Sequence, residues 1–471
     1  MKPNKLIGDK KFYIALAAVV LPIMAQNGIT QFVGLLDNLM VGRIGTEQMS
    51  GVSIVNQILN VFNLCLFGGM SGAGIFTAQF HGKGDVEGVR RTVRYKWYIA
   101  LAVCALAYAV FLTYGEQLIS FFINESDSEG DLELVMKCGK EYLAVLMWSF
   151  VPFALTQAYS STLRETGNTV VPMIASGSAV FINLIFNYLL IFGKLGFPEM
   201  GVVGAAIATL ISRIIEALIV VLWTHLNPKK NKYAKGLFSS LGIPAELITK
   251  ISAKGLPLLI NEFMWSLGMT VLAQSYSMRG LDSVAAYNIT STISNLFGIV
   301  FISMGNAVGI IVGQKLGADD IEGAKVTASR LMFTSTALSL FIGGAMACFS
   351  GIFPQLYNTT PEIKSLASSL IIVASIWMPI NAYTNACYFT LRSGGQVLIT
   401  MLFDSCFVWA ISVPIGFILS HYTSVPTVWL YAACTWIDIV KCIIGTILVK
   451  SGKWAKNIVQ KNKNQENIEK A

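Results

Sequence analysis

A chain of 471 residues is long enough for two or three water-soluble domains, but 54 % of it is hydrophobic and only 13 % is Asp, Glu, Lys or Arg, with a mean hydropathy of +0.62. Soluble domains carry about 25 % charged residues, so too few charges are present to cover a water-facing surface, and most soluble enzymes, secreted domains and nucleic-acid binders are excluded. The net charge of +8 therefore has to be read by where it falls rather than as the footprint of an acidic partner.

Apolar runs of about 20 residues or more predict membrane helices. Twelve are present, near 12–42, 50–79, 95–114, 141–163, 170–193, 201–226, 256–278, 284–313, 331–353, 366–391, 397–420 and 426–449. No ten-residue segments of alternating polarity occur, which excludes a membrane β-barrel. Lys10-Lys11 before the first run imitates a signal peptide, but that run is too long, contains Asp37 and lacks a clear small-residue cleavage pattern. It is expected to stay as a helix.

Basic residues set the orientation. With the N-terminus in the cytoplasm, Lys2, Lys5, Lys10, Lys11, Lys83, Arg90, Arg91, Arg94, the run Lys229 to Lys254, Lys315, Lys325, Arg330 and the Lys-rich tail all fall on that side. The opposite loops hold few bases, and the loop after the third helix is acidic at Glu125, Asp127, Glu129, Asp131 and Glu133. The expectation is a multi-pass plasma-membrane protein with both termini in the cytoplasm.

The chain also matches itself, which is the signature of internal repeats. An offset of 235 residues brings Leu21-Pro22 onto Leu256-Pro257, and Gln79, Gly82, Asp85, Glu87, Gly88 and Thr92 onto Gln314, Gly317, Asp320, Glu322, Gly323 and Thr327. At 228, Leu163-Arg164 and Gly167 meet Leu391-Arg392 and Gly395. Both copies hold six helices and start on the same side, so the repeats are parallel. The predicted fold is all-α: an N-lobe over 1–226, a cytoplasmic linker over 227–255, a C-lobe over 256–450 and a cytoplasmic tail over 451–471, with a central cavity between pseudo-symmetric lobes.

Ionisable groups at bilayer depth are costly unless paired or solvated, which makes each a functional candidate. Asp37 lies between apolar stretches in helix 1, and Glu262 lies six residues into helix 7. Asn183 and Asn187 share one face of helix 5. They serve either as interhelical hydrogen-bonding groups or, with a carboxylate, as oxygen ligands for a hard cation such as Na⁺. Asp404 in helix 11 is ambiguous in the same way. Arg213 with Glu216, and Asp438 with Lys441, read as self-neutralising pairs one turn apart. Asn27, Tyr159, Trp265, Trp377, Asn381, Tyr383 and Asp404 are candidates for a substrate cavity, the aromatic ones through cation–π contacts, although lone aromatics in apolar helices more often pack.

No phosphate-binding GxxxxGK[ST] loop, HExxH, GxSxG or Cys/His cluster is present, and the eight cysteines have no repeated spacing. A catalytic role, a cofactor and an ATP-driven engine are not expected. That leaves an ion gradient or a separate partner as the energy source.

Asp37-Asn-Leu-Met-Val-Gly42-Arg-Ile-Gly45, the stretch Gln79–Thr92 with its repeat copy, the segment from Leu163 to Thr169 and Gly201–Thr209 together resemble the multidrug and toxic compound extrusion family of the wider flippase superfamily. The resemblance covers both halves. It implies a monomeric twelve-helix antiporter exporting organic cations or other amphiphiles in exchange for Na⁺ or H⁺. It further implies a cation site at Asp37 in the N-lobe and an acid at Glu262 in helix 7. Two departures stand out: helix 5 has Asn187 where the family commonly has an Asp, and helix 10 has Asn381 and Asn385 but no acid. The competing reading is a lipid-linked oligosaccharide flippase. It would want a more cationic cavity than a chain whose membrane-depth bases are nearly confined to Arg213 and Lys441.

Overall fold

The structure is a computed structural model that describes residues 6–121 and 131–460, and among them every regular element is helical. Twelve helices are long and apolar enough to span a bilayer. They are α1 (Lys10–Gly42), α2 (Thr46–Lys83), α3 (Val86–Phe121), α4 (Leu132–Glu165), α5 (Val170–Phe192) and α6 (Gly201–Leu226), followed by α7 (Ala245–Ser277), α8 (Leu281–Gly317), α9 (Ile321–Cys348), α10 (Pro361–Ser393), α11 (Val397–Tyr422) and α12 (Thr427–Lys450). Glu125, Asp127 and Glu129, read above as marking an outer loop, lie outside the described residues, as do Lys2, Lys5, Lys461, Lys463 and Lys470.

Most helices overrun their apolar windows, because hydropathy registers only the stretch inside hydrocarbon while helical hydrogen bonding continues beyond it. Caps fix several of the real starts. Asp131 accepts from the Leu134 amide at 3.0 Å and begins α4 nine residues before the predicted 141. Thr360 caps α10, with Pro361 in the first turn where its missing N–H costs nothing. Asp320 accepts from the Gly323 amide at 2.9 Å to start α9. Hydrogen bonds from Lys315 and from that amide hold its carboxyl below the usual carboxylate range. Residues 245–255, grouped with the polar segment on composition, are the first turns of α7.

Helix 11 has an unforeseen irregularity. Two π-helical turns, Leu402–Cys406 and Val408–Ser412, precede Pro414. Proline cannot donate to the carbonyl four residues back and its ring crowds that carbonyl, and the wider second turn, which contains residue 410, relieves both problems. Asp404 sits inside the first of them.

The chain divides into two compact units. One comprises Leu21–Thr77 with Val86–Gly255. Its interior includes Val52, Val55, Tyr142 and Leu143, and an aromatic group in which Phe62 stacks on Phe150 at 4.5 Å. The other gathers the chain from Leu256 onward with the α1 residues up to Val20 and with Ala78–Asp85 at the end of α2. Its core is built around Tyr276, Ile293, Leu370, Met378 and Tyr431. We call these the N unit and the C unit. Large apolar side chains such as Leu112, Phe341 and Ile447 remain exposed, as a lipid-facing surface requires.

Within the C unit, the residues after α12 strap across three helix ends. Gln79, fully buried, donates from Nε2 to the carbonyls of Ser393 at 2.9 Å and Lys456 at 3.2 Å, and its Oε1 accepts from the Ile458 amide at 2.8 Å. Lys83 donates to the Val459 carbonyl and Asn457 to that of Gly317. Trp454 is only 1 % exposed and donates to Val449. Gly82 and Gly317, partners in the sequence repeat, are needed because a Cβ on either would run into the backbone carbonyl of Gln314 or Gln79 respectively.

Trp454→Ala is expected to lose about 3–5 kcal/mol, as for other buried aromatic truncations, and to lower the thermal midpoint of the detergent-solubilised protein. Gly317→Ala should destabilise by about 1–3 kcal/mol through overpacking against the Gln79 carbonyl, read in the same melting assay. An unchanged midpoint for either variant would contradict the packing described.

Candidate functional site

The N unit gathers Asp37 and both predicted asparagines. Because α5 places residues four apart on one face, Asn187 Nδ2 reaches Asn183 Oδ1 at 3.1 Å and Asp37 Oδ1 at 2.6 Å. Asn183 in turn donates to Thr209 on α6 at 3.3 Å. Asn187 is 1 % exposed, yet its Oδ1 has no hydrogen-bond donor. A buried acceptor left bare costs about 1–3 kcal/mol, and here it lies in the same cluster as a carboxylate. Oxygen donors of this kind suit a hard monovalent cation. Asp37 and Asn187 Oδ1 would hold it, while Asn183 is already engaged and serves to orient Asn187.

This cluster borders a longer chain of paired charge. Arg213 lies within electrostatic reach of Asp37 and bonds Glu216 at 2.8 Å. Glu216 accepts from the Ser176 hydroxyl at 2.6 Å, Ser176 accepts from Gln26 Nε2 at 2.8 Å, and Gln26 accepts from Arg164 at 3.1 Å. On α3, Lys96 is completely buried and bonds Glu165 at 2.5 Å, Ser161 at 2.9 Å and Thr162 at 3.2 Å. The Arg213–Glu216 pair has the spacing expected of it. The rest of the chain had no counterpart in the sequence reading.

The C unit builds a second polar cluster. Glu262 on α7 sits beside Tyr388 and Arg392 of α10 and in electrostatic range of Asp404. Its neighbour Asn261, 1 % exposed, donates from Nδ2 to Asp404 Oδ2 at 3.1 Å and to the Tyr388 hydroxyl at 3.3 Å, and it also bonds Ser405. The Lys441 ammonium lies 3.6 Å from Asp404 and 3.4 Å from Asp438, with the Phe407 ring centroid at 5.1 Å. Asp438 accepts from Trp377 Nε1 at 3.0 Å. The acid of α10, Glu362, stands in its first turn, and the carboxylate facing Glu262 comes from the π-helical turn of α11.

The remaining candidates scatter. Tyr159, proposed for a cavity, is fully buried in the N-unit core with Leu163 and Val220 and shares a hydrogen bond with His225 at 2.9 Å. Its place is in the packing. Tyr383 bonds Thr446 at 2.7 Å and, with Thr336, Pro379 and Cys442, lines an open apolar hollow of about 400 Å³. Trp377 and Tyr383 thus both turn to α12. Trp265 is exposed, and Asn27 and Asn381 are half-buried. Membrane-depth bases are also more numerous than expected: Lys96 and Arg392 are buried as well. Both stand at the ends of apolar windows, where a base reads as interfacial. Lys96 has Glu165 as its partner and Arg392 has Glu262 as its neighbour, so neither leaves an uncompensated positive cavity.

Comparison with known proteins agrees with the repeat. The MatE family model matches residues 22–189 and again 257–418, which are the two repeats. The chain is 26 % identical over 451 residues to the probable multidrug resistance protein NorM of Thermotoga maritima, covering 94 % of this chain and 93 % of the relative. It is 24 % identical over 410 residues to the multidrug resistance protein MdtK of Yersinia pseudotuberculosis, covering 86 % and 87 %. Among solved structures, an outward-facing multidrug resistance MATE family transporter of the MOP superfamily superposes with a TM-score of 0.83 at 18 % identity, over 93 % of this chain and 96 % of that one. With both repeats matched by one family model and twelve helices in the shared fold, the chain belongs to the MATE family of membrane transporters.

Proposed function

We propose that this protein is a multidrug efflux transporter. It exports organic cations or amphiphilic drugs from the cytoplasm in exchange for Na⁺ or H⁺, by alternating access of the rocker-switch type. Relatives across nearly the whole chain are named multidrug resistance proteins, which supports small molecules as cargo. The distribution of Lys and Arg supports a plasma-membrane location with both termini cytoplasmic.

The observation that carries the coupling is Asp37 with the bare Oδ1 of Asn187. An intramembrane carboxylate bonded to one amide, beside an unused oxygen, gains most from a cation or proton that arrives and leaves. Binding drives transport only if the two access states differ in affinity for that ion. Arg213 on α6 is the group through which occupancy is transmitted: a cation at Asp37 repels it and strengthens its bond to Glu216. Glu262 is assigned the corresponding role in the C unit. Asp404 beside it is the group suited to the cationic end of a substrate.

Asp37→Asn removes the charge and keeps the size. In everted vesicles, the variant is expected to accumulate a fluorescent organic cation at less than about a tenth of the wild-type rate. That corresponds to at least about 1.4 kcal/mol of lost driving interaction. Expression and monodispersity should be unchanged. Wild-type rates from Asp37→Asn would remove Asp37 from the mechanism.

A further inference from the structure

The two units carry the same polar framework, but only half of it is conserved between the repeats. At an offset of 228 residues, Arg164 falls on Arg392, Ser176 on Asp404 and Arg213 on Lys441; at 235, Gln26 falls on Asn261. The contacts follow the register. Gln26 donates to Ser176 at 2.8 Å in one unit, and Asn261 donates to Asp404 at 3.1 Å in the other. Both bases are thus duplicated. The acids are not: Asp37 and Glu216 fall on Leu272 and Ile444, while Glu262 and Asp438 fall on Asn27 and Leu210.

The charge balance consequently differs. In the N unit, the acids Asp37, Glu165 and Glu216 are matched by Lys96, Arg164 and Arg213. In the C-unit cluster, Glu262, Asp404 and Asp438 face only Arg392 and Lys441. The repeat-related bases are also held differently. Arg213 makes a direct hydrogen bond to Glu216. The Lys441 ammonium stands between two carboxylates, ion-paired to both at 3.4 and 3.6 Å without a hydrogen bond to either, and its side chain is 8 % exposed. Lysine is a compact point charge on a flexible stem. Here it stands between Asp404 and Asp438.

We propose that Lys441 is a built-in counter-cation that sets how many coupling ions the C unit takes up, by standing in permanently for one of them. This rests on the ion-exchange reading above. With Lys441 in place, the cluster lacks one positive charge. Without it, the cluster lacks two, and partly buried carboxylates facing one another at membrane depth do not readily stay ionised together without a cation or a proton.

The test is the ion-to-substrate ratio of the purified full-length protein in proteoliposomes with the voltage clamped at zero. It is read as the ethidium gradient that just nulls net flux against a known Na⁺ or pH gradient. Lys441→Gln is expected to raise the ratio by one, so that a tenfold ion gradient sustains about tenfold more ethidium accumulation. Lys441→Arg should keep the wild-type ratio. Asp438→Asn should lower it by one, and it still offers Trp377 an acceptor oxygen; this variant decides the matter if Lys441→Gln does not fold. A wild-type ratio in either Lys441→Gln or Asp438→Asn overturns the role of Lys441. Wild-type flux that responds to neither gradient overturns the exchange reading itself, and the proposal with it.

Discussion

A charge placed in hydrocarbon must find its compensation inside the protein, and that constraint organises this molecule. Bare intramembrane charges cost several kcal/mol, so each base at bilayer depth is held by, or stands beside, an acid, and the acids are held by amides and hydroxyls. Arg213 with Glu216, Lys96 with Glu165 and Lys441 between Asp404 and Asp438 are versions of one solution. Where compensation is incomplete, at the bare Asn187 oxygen and in the C-unit surplus of carboxylate, the protein has room for a mobile charge.

Gene duplication explains why the solutions look alike and why they are not the same. The repeated helices bring residues at equivalent positions to equivalent places, which is why a base recurs at Arg213 and Lys441 and an amide at Gln26 and Asn261. Acid placement has drifted. A carboxylate can approach a fixed guanidinium or ammonium from its own helix, as Glu216 and Asp438 do, or from a neighbouring helix, as Asp404 does. Neutrality of the cluster does not depend on which. The drift is therefore free to make one unit balanced and the other short of one positive charge.

Much of this was legible in the chain. Helix count and repeat follow from apolar runs and from matched polar residues such as Gln79 and Gln314, and the i,i+4 spacing of Asn183 and Asn187 brings them together in the structure as well. Other features carried little sequence signal. Asn261 is a neutral amide beside the more conspicuous Glu262, and only three-dimensional packing shows it bonding Asp404 and Tyr388. Lys96 and Arg392 stand at the ends of apolar windows, where a base normally snorkels to water. Pro414 marks an irregularity at the second π-helical turn, whereas the first, which carries Asp404, lies beyond its reach and has no signal of its own in the sequence. The strap after α12 looks like a polar tail, and the burial of Trp454 and Val459 within it shows only in the structure.

The central claim is that mobile cations binding at the intramembrane carboxylates drive the cargo of this transporter. Its most direct test is ethidium transport by the purified protein in sealed vesicles, with a Na⁺ gradient and a pH gradient imposed separately. Uphill ethidium movement under at least one of them, collapsing when that gradient is dissipated by an ionophore, is the predicted result. Ethidium that only equilibrates downhill, at the same rate with and without either gradient, would contradict it.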